Sequence, residues 1–168
     1  EIRQLESIAR QNPKNANAWI QLGNAQMDAQ RFADAVIAYQ RALDIDPKNA
    51  DVRVDMGTCY RGVGQPEKAI EEYQKALKYN PRHPNAYLNT GVVNAYDLNR
   101  PKEALKAFEK YLEVFPQAPN AEQIRGEIAR LKPLIDDGGY IPMLDHSAPP
   151  DIPYANYRYF MEKLRAAL

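Results

Sequence analysis

Apolar residues along most of the chain return every three or four positions, the spacing that places them on one face of an α-helix. Ile2, Leu5, Ile8 and Ala9 form the first such stripe and predict a helix over 1–12. Paired stretches follow near 16–29 and 32–44, near 50–62 and 66–79, and near 85–98 and 101–115. Gln30-Arg31 makes the first tight turn. Gly62 and Gly64 end the fourth helix, and Pro66 opens the fifth where its missing N–H does no harm. Asn120 is placed to cap a last amphipathic helix reaching about Leu131. In that helix Ile124, Ile128 and Leu131 point inward, and Glu122, Arg125, Glu127 and Arg130 point to water.

The helix pairs share landmarks. Trp19, Leu22, Gly23, Ala35, Tyr39, Ala42 and Pro47 return 34 residues later as Arg53, Met56, Gly57, Ala69, Tyr73, Ala76 and Pro81. Tyr87, Thr90 and Gly91 keep the same step, whereas Ala104, Phe108, Tyr111 and Pro116 arrive one residue late. The extra residue is expected in the turn at Leu98-Asn99-Arg100, because a longer turn costs little and a longer helix would rotate the register. Small Gly and Ala allow close helix approach, the aromatics fill the space between neighbours, and the prolines stop each second helix.

A 34-residue period with W-x2-L-G followed by Ala, an aromatic, Ala and Pro resembles the tetratricopeptide repeat (TPR), over roughly 16–132. The resemblance implies an all-α solenoid of three helix-turn-helix repeats, at 16–49, 50–83 and 84–118. Residues 1–15 then form an N-terminal cap or the stump of an upstream repeat, with capping the default, and 119–132 form a C-terminal capping helix. It also implies a non-enzymatic scaffold that binds a protein or peptide in the concave groove lined by the first helix of each repeat.

Carried over position by position, the groove candidates of the first repeat are Asn17, Ile20, Asn24, Met27 and Asp28. The second repeat supplies Asp51, Val54, Thr58 and Arg61, and the third Asn85, Leu88, Asn89, Val92 and Tyr96. The chaperone-binding branch of the family grips a C-terminal carboxylate with lysines, an arginine and asparagines. This chain keeps Asn24 but has Ile20 and Asn85 where lysines belong, and Asn89 where lysine or arginine belongs. A carboxylate clamp is therefore not expected. Amides and the apolar Ile20, Val54, Leu88 and Val92 suit an amphipathic or extended segment with little charge.

From Pro133 the landmarks stop. Residues 140–146 read as a short apolar strand, 147–153 as a rigid loop, and 154–168 as an amphipathic helix. Tyr154, Tyr157, Phe160, Met161 and Leu164 are expected to dock somewhere: beyond the capping helix, in the chain's own groove, or in a paired oligomer. The run G-G-Y-I-P-M-L-D-H-S-A-P-P-D-I-P-Y-A-N-Y, residues 138–157, resembles the C-terminal end of uroporphyrinogen-decarboxylase-like proteins, which include cobamide-dependent methyltransferases. The rest of such a barrel is absent, so neither its activity nor a metal at His146 is expected to carry over. The competing reading is an engineered or composite chain, a TPR host with a borrowed segment and no function of its own.

Composition narrows the function further. The chain of 168 residues has 22 Lys plus Arg and 22 Asp plus Glu, so its net charge of zero argues against nucleic acid and an acidic membrane. Cys59 is the single cysteine, which rules out an intrachain disulfide, and its helical context predicts a packed, reduced thiol. There is no G-x-S-x-G, phosphate-cradling glycine loop or H-E-x-x-H. Cys59 with His83 or His146 could in principle make a nucleophile and base, but a packed helical position argues against it, and Asp136, Asp137 and Asp145 read as solvated loop carboxylates. No catalytic residue, metal or cofactor is expected. No apolar run approaches the roughly 20 residues of a membrane helix. The chain begins at Glu1 rather than methionine, which reads as a trimmed end with room for a signal or anchor upstream. The compartment stays open, with the cytoplasm as default.

Overall fold

Eight α-helices and no strand occupy residues 1–136, the part of the chain that the computed structural model describes. They are α1 (Ile2–Gln11), α2 (Ala16–Asp28), α3 (Phe32–Ile45), α4 (Ala50–Gly62), α5 (Pro66–Tyr79), α6 (Pro84–Val92), α7 (Pro101–Val114) and α8 (Ala121–Asp136). A π-helical turn, Val93–Asp97, continues α6. Each helix packs on the next in chain order, so α2–α3, α4–α5 and α6–α7 form three stacked antiparallel pairs between α1 and α8. The architecture is a TPR-type solenoid.

Local chemistry recurs with the same period. Asn15 and Asn49 accept the backbone N–H of Ala18 and Val52 and so cap α2 and α4. At the third equivalent position His83 does the same job, its Nδ1 accepting from Ala86 N–H. The turn within each pair needs one left-handed residue, and Gln30 (φ 58), Gly64 (φ 73) and Asn99 (φ 50) supply it. The indole N–H of Trp19, the guanidinium of Arg53 and the hydroxyl of Tyr87 each donate to the carbonyl of the proline six residues earlier. Three different side chains thus tie each first helix to the preceding turn.

The core is built on one contact per repeat. Tyr39, Tyr73 and Phe108 are all but fully buried, and their rings lie where a Cβ on Gly23, Gly57 or Gly91 would have to be. That close approach compensates for glycine's low helix propensity. At the N-terminal end, Ile2, Leu5 and Ala9 pack on Ala18, Leu22 and Ala38, while Arg3, Gln4, Ser7, Arg10 and Gln11 are exposed. At the other end Ile124, Ile128 and Leu131 of α8 join Phe108 and Tyr111.

Two sequence expectations are corrected. The extra residue of the third repeat is not in the turn. Ala29 and Val63 each bond the carbonyl four residues back, whereas the equivalent Leu98 bonds Val93, five back. Likewise Arg31 and Gln65 reach five residues back, but Arg100 reaches six, to Asn94. The insertion is absorbed as a π turn, which widens the helix locally and leaves the next landmark in place. Second, α8 does not stop near Leu131 but runs through the exposed Pro133 to Asp136. Asn120, meanwhile, accepts the Tyr111 hydroxyl at 2.5 Å through its side chain. The expected strand, the final helix with Tyr154, Tyr157, Phe160, Met161 and Leu164, and the barrel-enzyme resemblance lie outside the described residues.

Candidate functional site

The first helices α2, α4 and α6 stand side by side and form one wall. Second-helix tyrosines reach through to it. The Tyr39 hydroxyl donates to Asn24 Oδ1 at 2.8 Å and lies 3.8 Å from the Met27 sulfur. The Tyr73 hydroxyl lies 3.4 Å from Thr58 Oγ1, which also accepts from the Asn89 amide at 3.4 Å and donates to the Val54 carbonyl. Each tyrosine therefore has a buried ring and a hydroxyl that meets the polar side chains of the first-helix row from beneath.

The predicted groove residues separate into groups on this wall. Asn17, Asn24, Asp28, Asp51, Asn85 and Tyr96 are exposed, and Ile20, Met27, Thr58, Leu88, Asn89 and Val92 are half-buried. Arg61 is exposed but engaged, its Nε 2.6 Å from Asp97 Oδ2. Tyr96 is also engaged, donating to Glu127 of α8 at 2.7 Å and accepting from Arg130 at 3.0 Å. Val54 does not belong to the surface set. It is 3% exposed and packs with Ala69, Tyr73, Ala76, Ala86 and Val93, because α4 turns that position into the contact with α5 and α6.

The next residue, Asp55, holds the surface position instead, and sequence reasoning passed over it. The signal was present, since Asp55 stands 34 before Asn89, itself a groove candidate. Burial raises the Asp55 carboxyl above the ordinary carboxylate range, and Asp51 one turn earlier adds to the rise while His83 opposes it. His83 Nε2 lies 2.8 Å from Asp51 Oδ1. With Nδ1 already accepting from Ala86, Nε2 carries the hydrogen and donates. The Tyr39 hydroxyl is raised well above its usual value, first by burial and then by Asp55, Cys59 and Asp28.

Beside α6 the wall opens into an apolar cleft of about 710 Å³. Leu88, Tyr111, Phe115 and Pro119 line it, with the amides of Asn85 and Asn120 at its edge. The Arg82 guanidinium stands over the Phe115 ring, 5.8 Å from its centroid. Nothing in the wall assembles a nucleophile. The Cys59 thiol is fully buried and pushed up to about 12 by burial and by Asp55. Among the described residues no group of three or more His, Cys, Asp and Glu is placed to hold a metal.

Residues 5–122 match the sequence model of the cytochrome c-type biogenesis protein H TPR domain. The chain belongs to that family. Several solved structures align with this domain at low identity, which establishes the fold. MamA aligns with TM-score 0.71 at 24% identity, covering 81% of this chain and 79% of that one. The first TPR domain of Spaghetti (RPAP3), bound to an HSP90 peptide, aligns with TM-score 0.65 at 21% identity, covering 72% and 93%. The Yersinia enterocolitica type III secretion chaperone SycD, in complex with a peptide of the translocator YopD, aligns with TM-score 0.65 at 16% identity, covering 69% and 91%. No curated protein sequence matches the chain. Among the described residues, no helix of this TPR domain is long and apolar enough to cross a membrane. TPR domains are in general interaction modules rather than enzymes.

Proposed function

We propose that this TPR domain is a protein-interaction scaffold whose first-helix wall holds a peptide or helical segment of a partner. The observation that carries this reading is the pre-set polar ladder on the wall: Asn24 fixed by Tyr39, and Thr58 and Asn89 joined beside Tyr73. Amides held in place bond a peptide backbone without first being ordered. Half-buried Ile20, Leu88 and Val92 beside them offer apolar contact. Two TPR domains of the same fold, those of RPAP3 and SycD, are known with peptides bound. The family's description adds a setting, the biogenesis of c-type cytochromes, and makes a haem-free c-type cytochrome polypeptide the partner to test first.

The test is to titrate a haem-free c-type cytochrome polypeptide into the isotope-labelled chain and follow backbone resonances. Shifts concentrated on Asn24, Thr58, Asn89 and their neighbours in α2, α4 and α6 are expected. Shifts confined to α3, α5 and α7, or none at all, would overturn the reading.

A further inference from the structure

The wall is charged far more selectively than the whole chain. The chain's net charge is zero overall, yet neither α2 nor α6 contains a lysine or arginine. The helix between them, α4, contains two arginines, and both are neutralised. Arg53 is turned under the preceding turn to Glu72, and Arg61 is bound by Asp97. At the α8 end Arg130 is held by Glu127. The carboxylates are not matched in this way. Asp55 has no hydrogen bond or ion pair among the described residues, and Asp51 meets only the His83 ring nitrogen. Asp28 adds a third negative charge near the Tyr39 hydroxyl, at the end of α2.

A second feature lies beside α6: the apolar cleft of Leu88, Tyr111, Phe115 and Pro119, with the Arg82 guanidinium over the Phe115 ring. Packed helices lie about 8–10 Å apart. The Asp51 and Asp55 carboxylates of α4 are therefore about 10–20 Å from the cleft. An extended segment rising about 3.3 Å per residue crosses that distance in about three to six residues.

From this arrangement we infer that the groove selects a partner segment of two parts, an apolar anchor for the cleft and positive charge a few residues away for Asp51 and Asp55. The inference rests on the groove reading above and names the chemistry of its partner. It differs from the sequence-based expectation of a segment with little charge. The occupant is an external polypeptide of this chemistry, and its recognition is opposite in sign to a carboxylate clamp.

The probe is a short fluorescein-labelled peptide with a Leu-Phe anchor, a spacer and three lysines, followed by anisotropy on the full chain. Twins replace the lysines by glutamine or the anchor by serine. The glutamine twin is expected to bind roughly tenfold more weakly at moderate salt, as loss of a few partly exposed charge pairs implies. The serine twin loses binding. In the Asp51→Asn/Asp55→Asn chain the lysine and glutamine peptides bind alike. That variant keeps its fold, because an amide oxygen still accepts from His83 and the raised Asp55 carboxyl is relieved of its charge. Equal binding of the lysine and glutamine peptides to the unaltered chain would overturn charge selection and leave the groove standing. A lysine preference that survives in the variant would place the cations elsewhere and overturn it too. If none of the peptides binds, the groove reading falls with it.

Discussion

Arg61 and Asp97 meet across the first-helix wall through two bonds, Nε to Oδ2 at 2.6 Å and Nη2 to Oδ1 at 3.3 Å. Asp97 closes the π turn that absorbs the extra residue of the third repeat, so a single insertion both adds a residue and sets an ion pair. The two side chains are 40% and 29% exposed, and such a pair contributes about 0.2–1 kcal/mol. Asp97→Ala should lower the melting midpoint by no more than about 4 °C, with the difference vanishing near 1 M salt. Its larger effect is on recognition. Freed Arg61 makes the wall less acidic, and the lysine peptide should bind more weakly than to the unaltered chain.

Gly23, Gly57, Gly91 and Gly126 occupy the same register position, yet only the first three face an aromatic ring. A Cβ at Gly57 would lie 2.5 Å from Tyr73 Cε1, and one at Gly91 2.3 Å from Phe108 Cε1. At Gly126 nothing lies within 4 Å. Gly57→Ala should therefore destabilise by about 1–3 kcal/mol, since a fully buried ring has nowhere to go. Gly126→Ala should stabilise by about 0.5–1 kcal/mol, because it simply removes a poor helix former. Urea titrations of the two variants check the opposite signs.

The contrast shows what the sequence could express. Registers of 34 locate Tyr39, Tyr73 and Phe108 and the glycines beneath them, because packing positions must repeat when identical units stack. Caps repeat as well, and Asn15 and Asn49 predict the role of His83 one step on, although histidine hides it by its chemistry. The count shows that one residue is added, but only the hydrogen bonds of Leu98 and Arg100 locate it inside the helix. At the groove the difficulty is angular. Adjacent helical residues point about 100° apart, so choosing Val54 over Asp55 moved a core residue onto the surface and concealed the wall's charge. Pairings such as Arg61 with Asp97, 36 residues apart, leave no local pattern to read.

Glu72 shows how one repeat departs from the others at a cost. It is nearly buried, with its carboxylate bonded to Arg53 Nη1 at 2.8 Å and Lys75 Nζ at 2.5 Å. Arg53 also reaches the Pro47 carbonyl, and its guanidinium lies over the Tyr79 ring. Arg53→Trp would restore the residue of the first repeat and its N–H to the proline, but would leave Glu72 with Lys75 alone. A loss of about 2–3 kcal/mol is expected, below the full penalty for an unpaired buried charge because Lys75 remains. Arg53→Trp combined with Glu72→Ala should recover most of it. A double-mutant cycle measures the coupling directly.

Cys59 and the buried tyrosines make the domain lose stability in alkali. In the unfolded chain the thiol ionises near 9.0, whereas in the fold burial and Asp55 push it up to about 12. Between those values the unfolded state has lost a proton that the folded state keeps, so stability falls as pH rises from about 9 to 12. Tyr39 and Tyr73, both raised from 10.0 chiefly by burial, act in the same direction. Cys59→Ser tests the thiol, since a hydroxyl does not titrate in this range. Its urea midpoint should start lower at pH 8, where it gives up packing contacts, and decline less steeply toward pH 11. At pH 8 the native thiol should react with a disulfide reagent only as fast as the domain opens, and rapid labelling of the folded chain would refute the burial on which the alkaline limb depends.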